Sequence, residues 1–329
     1  MTAPLELRRL TKRFHAFNAV DDVSLTVAAG EFVAVLGPSG SGKTTMLRLL
    51  AGFDMPSSGA IIIGGRDVSG LAPGERNIGM VFQHYALFPH LTVARNIGYG
   101  LKMHGWDAER RKARVGELLA MIRLESAGER LPHQLSGGQQ QRVAIARALA
   151  YSPSVLLMDE PLGALDRALR MEMTEEIRRI HRALGTTFIY VTHDRDEAMT
   201  LADRIIVMQK GRIDADGTPE QLFERPPTAF VAEFFSGMNV MPAQGLGLGS
   251  GQVAVAPGNI LFARPAGAAA SVPATVKDRL FLGERHVLIL TSPACPQPLR
   301  AYVPTRSPAP DIGAVVDIFI PEDALIALP

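Results

Sequence analysis

The sequence has little cysteine, no long apolar run and almost no net charge. Its single cysteine, Cys295, excludes a disulfide framework within the chain and a cysteine-rich metal site. The 34 basic and 33 acidic side chains give a net charge of +1, so no strong field favours nucleic acid or an anionic membrane surface as a partner. No apolar run approaches the ~18 residues that span a bilayer, so any work at a membrane requires other proteins.

The N-terminal segment MTAPLELRRLTKRF has no apolar stretch after its charges, so we expect no secretory signal there. The length of 329 residues fits one large and one small domain, or two domains of medium size. Hydrophobic residues make up 47% of the chain and charged residues 20%. These proportions are typical of a soluble globular protein with a sizeable core.

Short apolar runs recur without polar alternation, which indicates strands that are buried on both faces. Between several of them lie segments of helical period, such as residues 171–184, where Ile177, Ile180 and Leu184 form one apolar stripe. Strands that alternate with helices predict a mainly parallel α/β sheet. The runs are Phe32–Leu36, Ile61–Ile63, Val155–Met158, Phe188–Val191 and Ile205–Met208.

Residues from about 90 to 150 break this alternation. Apolar side chains there follow i, i+3, i+4, i+7 spacing at Val115, Leu118, Leu119 and Ile122, and no strand pattern is evident. The sequence therefore predicts a helical insertion within the α/β body.

The composition changes again near residue 237, where glycine-rich and alanine-rich stretches begin. Short β-rich runs follow at residues 274–276, 287–290 and 315–320, and turn-rich short strands predict a small barrel or sandwich. We place the domain boundary at about 236 to 240. One domain then covers residues 1–236 and an all-β domain covers residues 240–329.

Residues 37–44 have the sequence GPSGSGKT, the pattern of a phosphate-binding loop. Glycines let the backbone curl so that successive N–H groups face an anion. Lys43 can reach the outer phosphates as a point charge, and Thr44 can place its hydroxyl on Mg²⁺. A strand precedes the loop and a helix follows it, and the helix N-terminus adds partial positive charge. This context favours a nucleotide site over a glycine-rich turn with a stray lysine.

Two acids, Asp159 and Glu160, end the apolar run VLLM. Ligands of open α/β sheets bind at the carboxyl ends of the strands. Asp159 is therefore a candidate Mg²⁺ ligand, directly or through water, and Glu160 is a candidate to polarise the attacking water. Alone, the pair also fits a solvated acidic turn, but the phosphate loop about 115 residues upstream favours the catalytic interpretation.

Residues 135–142 have the sequence LSGGQQQR. By itself this pattern predicts an ordinary helix capped by Ser136, whose exposed N–H groups can bind an anion. Together with the phosphate loop and the acidic pair, it resembles the ABC ATPases over residues 3–236. The resemblance implies a P-loop NTPase ABC cassette with ATP and Mg²⁺ as cofactors. It also implies a homodimer packed head to tail, in which each signature covers the ATP held by the other subunit.

The resemblance assigns further roles by position. Phe14 matches an aromatic residue that stacks on adenine, although a core phenylalanine is the alternative. Gln83 matches a glutamine that senses Mg²⁺ and the attacking water, and it begins the segment that touches the membrane partner. His193 matches a histidine that contacts the γ-phosphate, although a histidine at a strand end is often only a polar cap. Gly163 opens the loop GALD that links the two sites, where many relatives have serine.

These roles define three residue sets. The catalytic set is Glu160, His193 and Gln83, and the metal set is Thr44, Gln83 and Asp159. The nucleotide set is Phe14, Gly37, Pro38, Ser39, Gly40, Ser41, Gly42, Lys43, Thr44, Thr45, Ser136, Gly137, Gly138 and Gln139.

The C-terminal segment resembles, more loosely, the small transport-associated, OB-like barrel domain of ABC importers. Residues 262–265 (FARP) and the later LGERHVLILT carry this likeness, but Ala266 stands where the family usually has an acid. The resemblance implies subunit pairing, regulation or binding of a small oxyanion. A purely structural domain that stabilises the dimer is the alternative.

We considered three classes of function for these motifs. A phosphate-loop small-molecule kinase is excluded because that class lacks LSGGQ. A soluble ABC ATPase of translation or DNA repair would usually carry two cassettes or a long coiled coil, and neither pattern is present. The resemblance favours an importer ATPase at the cytoplasmic face of the membrane. Its implied partners are two transmembrane permease subunits and, indirectly, an extracytoplasmic solute-binding protein that selects a cargo such as a polyamine, ferric iron or a phosphonate.

Overall fold

Strands and helices alternate most regularly between residues 155 and 209, as the apolar pattern predicts. The computed structural model describes residues 2–265 and 268–328, so Ala266 lies outside the described residues. The strands of the first 219 residues are β1 (Leu5–Phe14), β2 (Phe17–Val27), β3 (Phe32–Leu36), β4 (Ser58–Ile63), β5 (Arg66–Asp67), β6 (Ile78–Val81), β7 (Val155–Asp159), β8 (Thr187–Thr192), β9 (Arg204–Gln209) and β10 (Arg212–Gly217). The helices are α1 (Lys43–Ala51), α2 (Val93–Met103), α3 (Ala108–Met121), α4 (Gly137–Leu149), α5 (Arg167–Leu184) and α6 (Arg195–Leu201).

A six-stranded sheet in the order β10-β9-β3-β8-β7-β6 forms the centre of this unit. All neighbours in it are parallel except β9 and β10, so the predicted mainly parallel sheet is confirmed. Alternate residues of β7 enter two different cores. Leu156 and Met158 join one apolar cluster, while Val155 and Leu157 join the other. This explains why the run has no polar position.

The run Ile61–Ile63 belongs to a second sheet, which corrects its assignment to a strand buried on both faces. It lies in β4 of the four-stranded order β2-β1-β4-β5, whose pairings are antiparallel. Ile61 and Ile63 are buried, whereas Ile62 is half-buried on the opposite face. A three-residue run is too short to show this alternation, because it contains only one residue of the outer face.

The helical insertion is confirmed: α2, α3 and α4 fill residues 93–149, and no strand interrupts them. The predicted stripe of α3 and the residues after it packs inward, since Leu118 and Ile122 are fully buried. The same apolar cluster continues through α4 to β7 and β8. The insertion therefore shares its core with the strands that carry the acidic pair.

The chain divides into two compact units, Met1–Pro219 and Glu220–Pro329. The second unit starts earlier than the predicted boundary at 236–240, because Ala232 packs with Ala254 and Leu328 in one apolar cluster. The boundary between the sequence domains stays a prediction. The helices here are α7 (Pro219–Glu224), which begins at the division, and α8 (Ala229–Phe234).

The strands of the second unit are antiparallel, as predicted for an all-β, OB-like domain. They form a three-stranded sheet β11-β12-β17 and a four-stranded sheet β15-β14-β13-β16. Their bounds are β11 (Asn239–Pro242), β12 (Gln252–Val255), β13 (Ala268–Phe281), β14 (Arg285–Ser292), β15 (Cys295–Pro304), β16 (Val315–Pro321) and β17 (Ile326–Leu328). Within the residues that the structure describes, we find no helix with the length and apolarity to cross a bilayer.

Candidate functional site

The phosphate loop connects the fully buried strand β3 to the N-terminus of α1. Two of its glycines, Gly37 and Gly42, are required by close backbone approaches. Gly42 has φ 103°, and a Cβ at this position would lie 2.3 Å from the Ala19 carbonyl oxygen. A Cβ at Gly37 would lie 2.4 Å from the Met208 carbonyl oxygen. Any larger residue at either position would displace backbone that fixes the shape of the loop.

Lys43 folds back along this loop. Its ammonium donates to the carbonyl oxygens of Gly37 at 2.7 Å and Pro38 at 3.0 Å. Burial lowers the pKa of Lys43, and the nearby carboxylates of Glu160 and Asp159 oppose that shift. A buried ammonium bonded only to neutral oxygens is a strong site for an anion, because a negative ligand offsets the desolvation of the charge.

The acidic pair lies beside the start of α1. The Thr44 hydroxyl donates to Asp159 Oδ1 at 3.4 Å, although 115 residues separate them in sequence. Burial raises the pKa of Asp159, and the charge of Glu160 raises it further. Hydroxyl and carboxylate oxygens are donors that Mg²⁺ prefers, and a bound cation would offset the repulsion between the two acids. The donor set therefore fits Mg²⁺.

Glu160 has a left-handed backbone with φ 43°, which is rare for a residue with a long side chain. Two backbone hydrogen bonds hold it: its N–H donates to Val191 O at 2.9 Å, and Gly163 N–H donates to its carbonyl at 3.1 Å. Its Oε2 lies 3.2 Å from His193 Nδ1. The His193 side chain is 62% exposed. The carboxyl ends of β7 and β8 thus place an acid and an imidazole together.

Gln83 follows β6 and is exposed to solvent. A Cβ added to Gly163 would lie 3.6 Å from Gln83 Nε2 and 3.4 Å from the Glu160 carbonyl oxygen. Gln83, Glu160 and Gly163 are therefore neighbours. The absence of a side chain at Gly163 leaves the space between the glutamine and the acidic residue open.

Ser136 caps α4 as the sequence predicts. Its hydroxyl accepts from Gln139 N at 3.4 Å, and Gln139 Oε1 accepts from Ser136 N at 3.1 Å. The two glycines of this turn lie against the loop after Glu160 and the start of α5. A Cβ at Gly137 would be 3.3 Å from Leu165 Cδ2, and one at Gly138 would be 2.8 Å from Leu169 Cδ1. A side chain at either position would have to displace the end of a leucine side chain.

The predicted residues fall into separate groups. Lys43, Thr44 and Asp159 join Glu160 and His193 in one group at the carboxyl ends of the strands. The 136–139 turn shares no hydrogen bond or ion pair with that group in the described part of the chain. Phe14 ends β1 and is 45% exposed, and Lys12 Nζ lies over its ring, 5.0 Å from the centre. The exposure excludes a core role for Phe14.

A buried network behind His193 was missed by sequence reasoning. Glu197 accepts from the hydroxyls of Tyr190 at 2.7 Å and Thr192 at 2.8 Å. Arg170 binds Asp194 at 3.0 Å and lies 3.6 Å from Glu197. The network fixes the residues on both sides of the histidine. Only Asp194, a good helix N-cap, gave a signal in the sequence, because the other partners meet through tertiary packing.

The variant Glu197→Gln is expected to change how the free energy of unfolding depends on pH. Burial raises the pKa of Glu197, so the folded chain binds this proton more tightly than the unfolded chain does. The wild type therefore loses stability as pH rises from the ordinary carboxyl value of 4.5 through the raised folded value. The glutamine variant lacks this loss, so its stability relative to the wild type should increase with pH.

Urea unfolding of both proteins between pH 4.5 and about pH 7 measures this difference, provided that unfolding is cooperative. Glu129→Gln at an exposed position serves as the control. A difference between wild type and Glu197→Gln that stays constant with pH would contradict the proposed burial penalty.

Comparison with known proteins gives one family. A model described as ABC transporter matches residues 20–163. A sulfate/thiosulfate import ATP-binding protein of Chromobacterium violaceum is 52% identical over 240 residues, which cover 73% of this chain and 65% of the relative. A spermidine/putrescine import ATP-binding protein of Nitrosospira multiformis is 51% identical over 241 residues, 73% of this chain and 66% of that protein.

The alignment with one relative covers more of the chain, and solved structures are similar as well. An Fe(3+) ions import ATP-binding protein of Brucella abortus is 47% identical over 270 residues, 82% of this chain and 76% of the relative. The chain thus spans about two thirds to three quarters of these relatives' lengths. A bacterial ABC transporter cassette, solved as a dimer, has a TM-score of 0.58 and 36% identity, and covers 65% of this chain and 98% of its own. A post-hydrolysis dimer bound to ADP and phosphate has a TM-score of 0.58 and 35% identity, with the same coverage.

Proposed function

Because this chain belongs to the ABC transporter family, we propose that it is the ATP-binding and ATP-hydrolysing subunit of an ABC importer. One observation carries the proposal: the phosphate loop, the acidic pair and His193 converge at the carboxyl ends of β3, β7 and β8. Their closest side-chain approaches are the 3.4 Å contact of Thr44 with Asp159 and the 3.2 Å contact of His193 with Glu160. The import proteins among the relatives support the coupling to transport.

In this proposal the loop backbone and Lys43 bind the phosphates of ATP, and Phe14 offers its exposed ring to the adenine. Thr44, Asp159 and Gln83 are the residues that would hold Mg²⁺, which would supply charge neutralisation at the phosphates. Among the described residues no group of three or more His, Cys, Asp and Glu can hold a metal by itself. A Mg²⁺ bound by a few protein oxygens together with nucleotide phosphates fits that composition.

Glu160 accepts the proton of the attacking water, and His193 contacts the γ-phosphate. The carboxylate of Glu160 lies beside His193 and that of Asp159 beside Thr44, so the two acids take different roles. His193 at 3.2 Å orients the carboxylate. Positioning and charge stabilisation account for most of the proposed catalysis.

Two copies pack head to tail, so that residues 136–139 of each copy cover the ATP bound by the other. The separation of this turn from the phosphate loop within one chain supports that arrangement, as do the dimeric solved relatives. Helix α4 has 13 residues. Its N-terminus presents free N–H groups and a partial positive charge to the γ-phosphate of the ATP bound by the other copy.

Two transmembrane permease subunits and an extracytoplasmic solute-binding protein complete the importer, and the chain acts at the cytoplasmic face of the membrane. A groove of about 840 Å³ on the helical insertion, between α2 and α3, supports permease docking. The relatives import a sulfur oxyanion, polyamines or ferric iron. The cargo is therefore a small solute that the other subunits select. A soluble ABC ATPase is the alternative, and it lacks support from these import relatives.

The variant Ser136→Arg is expected to bind ATP as a monomer but not to form the ATP-dependent dimer. A long cation at this helix end opposes the helix dipole and fills the space meant for the partner's phosphates. Size-exclusion chromatography with ATP and Mg²⁺ measures the dimer, and a fluorescent nucleotide measures binding. Thr200→Arg, near the end of α6, adds the same charge at an exposed position and should dimerise normally. Normal dimerisation and turnover by Ser136→Arg would contradict the shared site.

A further inference from the structure

The segment after Gln83 adopts an unfavourable backbone. Tyr85 has φ 57° and Ala86 has φ 47°, so two consecutive residues other than glycine are left-handed. The Ala86 side chain is exposed and cannot stabilise this conformation by packing. Backbone hydrogen bonds from Tyr85 N to Phe82 O at 3.1 Å and from Ala86 N to His84 O at 2.5 Å close the turn. A side chain that binds the carbonyl oxygens of the turn can stabilise it further.

Arg147, on the last turn of α4, makes the contacts that do so. Its guanidinium donates to Ala86 O at 2.6 Å and to Tyr85 O at 2.9 Å, which are the carbonyl groups of the two left-handed residues. The guanidinium also lies 5.6 Å from the centre of the Phe88 ring. Burial lowers the pKa of Arg147, and no carboxylate lies within ion-pair distance of it in the described part of the chain. Its principal hydrogen-bond partners are thus the two carbonyls of the turn.

Two further contacts fix the same segment. The buried Asn96 of α2 accepts from Phe88 N at 2.8 Å and donates to Leu91 O at 2.9 Å, which anchors the far end. The Tyr85 hydroxyl lies 3.9 Å from the place where a Cβ of Gly137 would be. Arg147 thus bonds the turn to the C-terminal end of α4, and the Tyr85 hydroxyl lies near the N-terminal end of the same helix.

We propose that Arg147 is a positioning residue that holds the turn at Tyr85 and Ala86 in its left-handed form and thereby keeps Gln83 beside Glu160. The role of Gln83 in this inference rests on the proposed function. The effect of Arg147 on the turn does not.

Hydrogen exchange of the backbone amides of residues 83–88 tests the positioning directly. Arg147→Met should raise the exchange rates of this segment without ligand. Arg114→Met is the matched control, because Arg114 also donates to backbone carbonyls, Ala150 O at 3.1 Å and Leu149 O at 3.3 Å, away from Gln83. Faster exchange in both variants, or in neither, would overturn the proposal.

The kinetic consequence is a split between binding and turnover. Arg147→Met should keep the nucleotide affinity, lower turnover by about tenfold or more, and require more Mg²⁺ for half-maximal rate, because misplacement of a reacting group by about 1 Å is costly. Arg147→Lys keeps the charge but cannot donate to two carbonyls in a fork, so its turnover should lie between those of wild type and Arg147→Met. A variant with normal turnover and normal Mg²⁺ dependence contradicts the inference.

A second substitution distinguishes positioning from a general loss of stability. Glycine accepts φ 47° without strain, so Ala86→Gly should restore part of the turnover and slow the exchange in the Arg147→Met background. Ala86→Gly in the Arg114→Met background should change neither. Absence of rescue would overturn the proposed link to the turn. A wild-type chain without any ATP turnover would instead refute the proposed function, and the exchange experiment would still decide the role of Arg147.

Discussion

Replacement of Lys43 by alanine is expected to remove most ATP affinity and to lower turnover by about 10²–10³, the usual loss when a positioned charge donor is removed from a reacting centre. The ammonium is buried inside the curve of the loop and its nearest partners are two neutral carbonyls. A phosphate is the ligand that offsets this burial. Without the charge, the loop retains only backbone N–H groups to hold the nucleotide.

Fluorescent-nucleotide binding and phosphate release from the purified variant measure the two losses. Lys277→Ala, at an exposed position on β13, is the control for the loss of a positive charge. Thermal unfolding of both variants checks that the folded fraction is equal. ATP turnover at the wild-type rate in Lys43→Ala would refute the assignment of residues 37–44 to phosphate binding.

Glu160→Gln is expected to lower turnover by about 10²–10⁴, the range for a lost general base. The glutamine keeps the size and the hydrogen-bonding capacity of the side chain but cannot accept the proton of the attacking water. ATP should still bind and close the dimer, which then cannot reset. A long-lived ATP-bound dimer should be visible by size-exclusion chromatography without any inhibitor.

Asp159→Asn provides the comparison that separates the two acids. Asp159 contacts Thr44 at 3.4 Å and is the proposed Mg²⁺ ligand, so its loss should weaken both Mg²⁺ dependence and chemistry. The lifetime of the ATP-induced dimer should therefore be long in Glu160→Gln and short in Asp159→Asn. Equal lifetimes, or normal turnover in Glu160→Gln, would refute the separate roles.

The sequence was sufficient to predict the elements that carry the candidate site. The phosphate loop, the acidic pair and the Ser136 cap are local patterns, and each lies at the strand or helix end where local rules place it. The parallel sheet was predictable from uninterrupted apolar runs. The runs are uninterrupted because alternate residues of a strand such as β7 enter two different cores. The prediction for the Ile61–Ile63 run was wrong because so short a run contains only one residue, Ile62, of the less buried face.

The unpredicted parts depend on contacts between distant segments. Glu197 joins Arg170 only after α5 and α6 pack together, and no pattern along the chain marks that pair. Arg147 is 61 residues from Ala86 in sequence, and the left-handed turn it holds contains no glycine to reveal it. Ala232 of α8 packs with Ala254 and Leu328, which come later in the chain, and no local pattern marks that contact.

The left-handed backbone of Glu160 lowers the stability of the fold, whereas its carboxylate is required for the proposed activity. A residue other than glycine in such a conformation costs about 1–3 kcal/mol, which the surrounding fold must supply. Selection for a durable fold alone would favour glycine or asparagine at this position, and either would remove the carboxylate. Glycine at position 160 would therefore relieve the backbone strain and remove the proposed general base at the same time.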